Sequence, residues 1–197
     1  MMTSMAARLF GAAFLFTCAL AVSPLAAPAR TAAPPLVAPT TRDGHTDFDF
    51  LMGTWKTHYR RLRHILAGAH DWYRCEGTSV VTPFWKDHGN LEDGDLHCPR
   101  QYVQGLTLRL YDTKTNQWSL WWATAKLGLV PPAQLGHFDS HGNGVFLAND
   151  VWHGRPIVVR FWWTMPRPDH PHFEQAFSTD HGRTWETNWT TDYDRVK

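Results

Sequence analysis

The feature that most constrains this chain is a run of short β-type segments, each closed by a turn signal, that continues from Gly53 almost to the C-terminus. The segments expected as strands are 53–63, 71–82, 89–97, 103–111, 117–125, 134–140, 144–152, 156–164, 172–179 and 184–194. Between them stand Asp112-Thr113-Lys114-Thr115-Asn116, His141-Gly142-Asn143-Gly144, His153-Gly154-Arg155-Pro156 and Asp180-His181-Gly182, built from residues that suit tight turns. Helical periodicity is confined to one short stretch, residues 46–52, expected as a helix of one or two turns before the first strand. Ten successive strands with tight connections predict an all-β fold, a single antiparallel up-and-down β-barrel. Closing the meander into a barrel removes both exposed edges. A β-sandwich is the alternative.

Composition excludes several classes. The 197 residues carry Lys+Arg 19 against Asp+Glu 18, a balance that argues against a nucleic-acid partner. A hydrophobic content of 43% with 19% charged residues excludes a disordered or fibrous chain. Eleven Trp are enough indole to build a core, a ligand pocket, or both.

The first 29 residues read as an export signal. Arg8 precedes an uncharged apolar run, residues 9–22, and Ala27-Pro28-Ala29 supplies small residues at alternate positions, with cleavage expected after Ala29. The run is too short to span a bilayer core of ~30 Å, so no stable membrane span is expected after cleavage. An uncleaved anchor competes with this reading, as does a lipid anchor at Cys18, although Phe16 and Thr17 stand where small residues are expected. The mature protein is therefore expected in the periplasm or outside the cell. Residues 30–42, rich in Ala, Pro and Thr, are expected as a flexible lead-in, and residues 43–197 as one domain.

Export permits a disulfide between the two remaining cysteines, Cys75 and Cys98. Their midpoint falls at Lys86/Asp87, inside a plausible turn, so two strands folded there place them opposite each other. A bulge at Asp93-Gly94-Asp95 would break that register and leave two free thiols. In the hairpin that follows, pairing Leu110 with Trp118 sets Leu106, Leu108 and Leu110 on one surface with Trp118, Leu120 and Trp122. That surface is expected to be interior, with Arg109 outward unless the lumen is polar. In the last hairpin, Ser178–Trp185 pairing puts Glu174 beside Trp189, and both faces are mixed.

Phe50-Leu51-Met52-Gly53-Thr54-Trp55 resembles the opening motif of lipocalins and other calycins. In those barrels the Trp packs across the closed end and an Arg late in the chain lies over it, a role the resemblance gives to Arg195. More widely, FDFLMGTW, GLTLRLYDTKTNQWSLWW, GRPIVVRFWW and EQAFSTDHGRTWETNW resemble a bacterial family of calycin-like barrels, of lipocalin, fatty-acid-binding and nitrobindin type, with no settled activity. The resemblance covers residues 43–195 and implies fold far more than function. Ser178–Trp185 also matches the S-x-D-x-G-x-T-W turn of sialidases, but it occurs once, so it is read as a structural hairpin. The glycine-rich stretch of the haem-binding nitrobindins is absent after Trp55. His172 is the one histidine placed to be tried as an iron ligand, and no cofactor is expected.

Three further groups bear on function. His170-Pro171-His172 shows two imidazoles to one side of an extended chain, with Asp169 near, but no metal is expected there because no second ligand motif supports it. In the basic run after Trp55, alternation puts Tyr59, Arg61 and Arg63 on the Trp55 face. An interior Arg61 must find a partner, either Glu174 or a ligand carboxylate held bidentately; otherwise the strand leaves the barrel and the arginines are solvated. The adjacent pairs Trp121-Trp122 and Trp162-Trp163 each turn one indole outward, which leaves a homodimer open.

These readings converge on an exported barrel that binds one small hydrophobic or amphiphilic molecule. The expected lining residues are Trp55, Tyr59, Arg61, Trp122, Trp163, Glu174 and Trp189. An enzyme on the same scaffold, an isomerase or hydrolase using Glu174 with a neighbouring His or Arg, is the first alternative. A surface interaction module with a filled core is the second.

Overall fold

From Gly53 onward each expected segment is a strand in the computed structural model, which describes residues 36–196. The segment expected as an export signal, 1–29, and the first residues of the expected lead-in, 30–35, lie outside the described residues. The strands are β1 (Gly53–Leu62), β2 (Trp72–Phe84), β3 (Gly89–Cys98), β4 (Gln101–Asp112), β5 (Gln117–Thr124), β6 (Gly128–Phe138), β7 (Gly144–Trp152), β8 (Arg155–Arg167), β9 (His170–Ser178) and β10 (Glu186–Arg195). Each pairs antiparallel with its sequence neighbour, and β1 pairs with β10 to close the ring. The short helix expected over residues 46–52 is not formed. That stretch holds a single 3-10 turn, Asp49–Leu51, and no α-helix is present among the described residues.

One end of the barrel is plugged. Phe48 and Leu51, almost fully buried, push into the lumen, and Phe48 meets Trp118, Phe138 and Trp163 edge-on at 5.1, 4.9 and 5.9 Å. Trp55 is buried just inside, and its indole N–H donates to the Leu51 carbonyl at 2.7 Å. Arg195 lies over the Trp55 ring at 4.0 Å and donates to the carbonyls of Met52 and Phe50 at 2.8 and 2.9 Å. This satisfies the carbonyls of the turn while stacking a cation on the indole. Gly53 makes the approach possible, because a Cβ there would stand 2.9 Å from the guanidinium and its φ of +118° suits only glycine.

The part of the lead-in that is described is not free. The Val37 and Ala38 carbonyls accept from the Gln117 amide, the Thr40 carbonyl accepts from Asn116, and the Thr40 N–H donates to Thr115. Polar side chains of the β4–β5 turn thus provide the hydrogen bonds that an Ala/Pro/Thr segment cannot make for itself.

Two registers differ from expectation. Asp112 pairs with Gln117 across a four-residue turn, with Asn116 at φ 52°, so Leu110 faces Ser119 and Tyr111 faces Trp118. One extra turn residue exchanges the two faces of β4. Arg109 therefore points inward beside Leu120, and Leu106, Leu108 and Leu110 do not share the surface of Leu120 and Trp122. In the last hairpin the register runs as expected from Phe177–Glu186 to Ala176–Thr187. A bulge at Asn188 then sets Trp189 opposite Gln175, and Glu174 opposite Thr190.

Cys75 and Cys98 are joined by a disulfide, their Cα atoms 4.3 Å apart, in line with the Glu76–His97 pair that flanks them. The bond closes a loop with a sequence separation of 23, worth about 3 kcal/mol in the chain-entropy account. Reduction, or Cys75→Ala with Cys98→Ala, is expected to lower unfolding stability by about that amount. Urea titrations followed by tryptophan fluorescence check it, and identical midpoints with and without reductant would refute it.

Candidate functional site

Side-chain alternation on the strands carries one face of each into the lumen, where a cavity of about 250 Å³ remains above the plug. Its wall is mostly aromatic and aliphatic, drawn from Trp122 on β5, Phe161 and Trp163 on β8, Phe173 and Phe177 on β9, and Trp189 on β10. Gly105 on β4 leaves room for one of these rings, since a Cβ there would stand 2.3 Å from the Trp122 indole. Trp122 in turn meets Trp189 edge-on at 5.5 Å.

Two arginines enter this apolar space, and their circumstances differ. Arg109, only 1% exposed, lies at the floor next to the plug. Its Nη1 donates to Asn90 Oδ1 at 3.0 Å, its Nη2 is paired with the Glu92 carboxylate, and Glu92 Oε1 accepts from the Tyr193 hydroxyl at 3.1 Å. The guanidinium also faces Phe48 and Trp163 at 5.2 and 5.3 Å. This charge is neutralised within the wall, the condition under which a buried ion is tolerated. Burial and the nearby Glu92 carboxylate push the Tyr193 and Tyr59 phenols well up, so both remain neutral donors at physiological pH.

Arg61 sits higher in the cavity wall, near the end of β1 opposite the plug. Its guanidinium lies over the Trp189 ring at 4.3 Å. No carboxylate among the described residues forms an ion pair with it. Burial lowers its pKa from the ordinary arginine value, the direction expected of a cation that has lost water without gaining an anion. It is thus a partly desolvated, uncommitted cation facing an apolar space.

Of the residues expected to line a pocket, the structure brings together Tyr59, Arg61, Trp122, Trp163 and Trp189. Trp55 and Glu174 are not among the cavity's lining residues. Trp55 lies below the floor, held against Leu51 and Arg195. The bulge at Asn188 removes Glu174 from the register with Trp189 and leaves it on the outer face, bonded to His172 Nε2 at 3.2 Å and accepting from Thr187 Oγ1 at 3.3 Å. An Arg61–Glu174 pair is therefore not formed, and the acid–base group expected at Glu174 does not face the cavity.

Arg109, Glu92, Tyr193 and Gln175 were not expected at the cavity. Asn90 stands directly opposite Arg109 in the β3–β4 ladder, with Glu92 two residues on. That i, i+2 spacing of Asn and Glu facing an Arg between two leucines was the available signal.

The remaining motifs lie outside the cavity. His170 and His172 project from β9 toward Asp194 and Asp192 on β10, both at 2.6 Å. His58 joins this outer belt between Glu76 and Asp194. With both ring nitrogens engaged there, His172 has no route to an iron in the lumen. Asp180 organises the sialidase-like turn, accepting from the Arg183 and Thr184 amides at 3.0 and 2.9 Å and from Thr184 Oγ1 at 2.6 Å. Trp185 is half-buried beneath Arg160 at 4.6 Å instead of returning to the core.

Removing one partner of the floor pair leaves a buried charge. Arg109→Ala is expected to cost about 3–5 kcal/mol, whereas Arg109→Met combined with Glu92→Leu, which removes both charges and keeps volume, is expected to lose far less. Chemical denaturation of the two variants tests this; equal losses would show that the pair does not behave as a desolvated ion pair.

No protein-family model matches the chain, and no curated protein matches it.

Proposed function

We propose that this protein is an exported binding protein that holds one small amphiphilic molecule in the barrel, with an acidic group of the ligand on Arg61 and its apolar body among Trp122, Trp189 and the phenylalanines. The observation that carries the reading is the partly desolvated Arg61 guanidinium, which lines an apolar cavity and forms no ion pair with a described carboxylate. A ligand carboxylate or sulfonate would supply a bidentate, charge-assisted partner. The cavity volume sets the scale: about 250 Å³ exceeds the 150 Å³ that admits benzene, which suits a ligand on the order of ten non-hydrogen atoms.

Three features support the wider placement. The ten-stranded closed barrel is consistent with a calycin-like fold, in which a lumen of this size takes one small ligand. The Trp55–Arg195 stack at the plugged end is the arrangement that the calycin resemblance implies. Arg8 and the apolar run 9–22 support export, as does a disulfide, which persists in an oxidising compartment.

The test is a titration of tryptophan fluorescence with 2-naphthoate and its uncharged analogue 2-naphthamide. The acid is expected to bind one per chain and more tightly than the amide. Arg61→Gln should weaken the acid roughly tenfold or more, the effect of losing one charge-assisted contact, while leaving amide binding and the melting temperature nearly unchanged. Equal affinity for acid and amide, or an Arg61→Gln variant that loses stability and not affinity, would defeat the assignment.

A further inference from the structure

The barrel wall is split along one seam. β6 and β7 pair only from Leu135–Leu147 to Phe138–Gly144, beside their own turn at the plugged end. Both strands then continue toward the other end without pairing to each other. β6 is bonded to β5 as far as Gln134–Leu120 and, after an irregularity over residues 131–133, again from Val130–Trp122 to Gly128–Thr124, while β7 remains bonded to β8 as far as Trp152–Arg155. Residues 130–134 and 148–152 thus border an unpaired seam, a slot in the hydrogen-bonded wall on the order of 15 Å long.

The slot leads to the cavity. Val130, Pro131, Pro132 and Gln134 from one border, and Asp150 and Trp152 from the other, are lining residues of the lumen. The chemistry of the borders keeps them apart. Pro131 and Pro132 have no amide hydrogen, and because successive residues of a strand turn to opposite neighbours, one donor is missing on the β7 side and one on the β5 side, where the pairing also shifts between Leu120–Gln134 and Trp122–Val130. Asp150 Oδ1 accepts from the Val151 N–H at 2.7 Å, and the Gln134 amide donates to the Pro132 carbonyl at 3.3 Å. Four of the backbone groups along these borders, the two proline nitrogens, the Val151 N–H and the Pro132 carbonyl, are therefore absent or already engaged, which disfavours a peptide strand as occupant.

The axial end opposite the plug is overlain on its β1–β10 side. The β1–β2 connection folds back at the end opposite the plug, with Ile65 and Leu66 packed against the core and the Leu66 N–H bonded to Glu186 at the start of β10. We infer that the slot between β6 and β7 is the portal through which the small amphiphilic ligand passes into and out of the lumen, sideways between two strands. This rests on the binding role proposed above.

The route is tested by placing a bulky group at the seam. In the full chain carrying Cys18→Ser, Asn149→Cys, on the exposed outer side of the slot, is labelled with a bulky maleimide. Arg183→Cys, in the β9–β10 turn at the opposite-to-plug end, is labelled as the control. Stopped-flow tryptophan fluorescence then follows 2-naphthoate association and dissociation. The slot adduct is expected to slow both rates together, tenfold or more, with the dissociation constant within twofold, because a blocked route changes the barrier and leaves the bound state alone. The control adduct should leave both rates as they were. Unchanged rates in the slot adduct, slowed rates in the control, or a changed dissociation constant at constant association rate would overturn the portal. Failure of the unlabelled protein to bind 2-naphthoate saturably would instead remove the binding reading itself, and the portal with it.

Discussion

Closure of the ring by the β1–β10 ladder is the constraint on which the rest of the structure depends. Seven consecutive register pairs, from Trp55–Arg195 to Arg61–Trp189, join the first strand to the last. This one ladder settles two ends at once. At its beginning it brings Arg195 over Trp55, where the guanidinium ties the 3-10 turn and its phenylalanines into the lumen as a plug. At its other extremity it stands Arg61 across from Trp189, which places the free cation against an indole face inside the wall. Without closure β1 and β10 would be exposed edges, and the plug would lose its Arg195 tie.

Charge placement inside the barrel follows from what each arginine can reach. Arg109 has Asn90 directly across the ladder and Glu92 one pleat further, so its charge is consumed in fixing β3, β4 and β10 to one another. Arg61 is flanked by Tyr73 on β2 and Trp189 on β10, neither of which is a carboxylate. The same residue type is thus structural at one height and available at another. The difference lies in neighbours two residues away.

Most of the fold was legible because turn chemistry and alternation agree along this chain. Nine of the ten strands begin and end within a few residues of expectation, and β6 departs most, beginning at Gly128 where the sequence suggests 134. The reason is physical: Pro131-Pro132 reads as a strand breaker, and it is tolerated because that border of β6 has no partner. Register was less legible. A four-residue turn in place of a three-residue one turned Arg109 inward, and a bulge at Asn188 turned Glu174 outward. Neither leaves a signature in composition, since both depend on how a single residue is accommodated in the ladder. Five of the seven expected lining residues line the cavity, and for Tyr59 and Arg61 the parity set from Trp55 is what places them there. The two that failed did so for separate reasons, Trp55 by depth along the axis and Glu174 by face.

The account turns on whether the lumen holds an acidic amphiphile, and native mass spectrometry asks this most directly. The mass of the protein would be measured as isolated and after incubation with a mixture of small aromatic and aliphatic acids. The account predicts one acid molecule per chain, lost on denaturation and not retained by Arg61→Gln. A bare chain mass in every sample, or retention that is the same with and without Arg61, would contradict it.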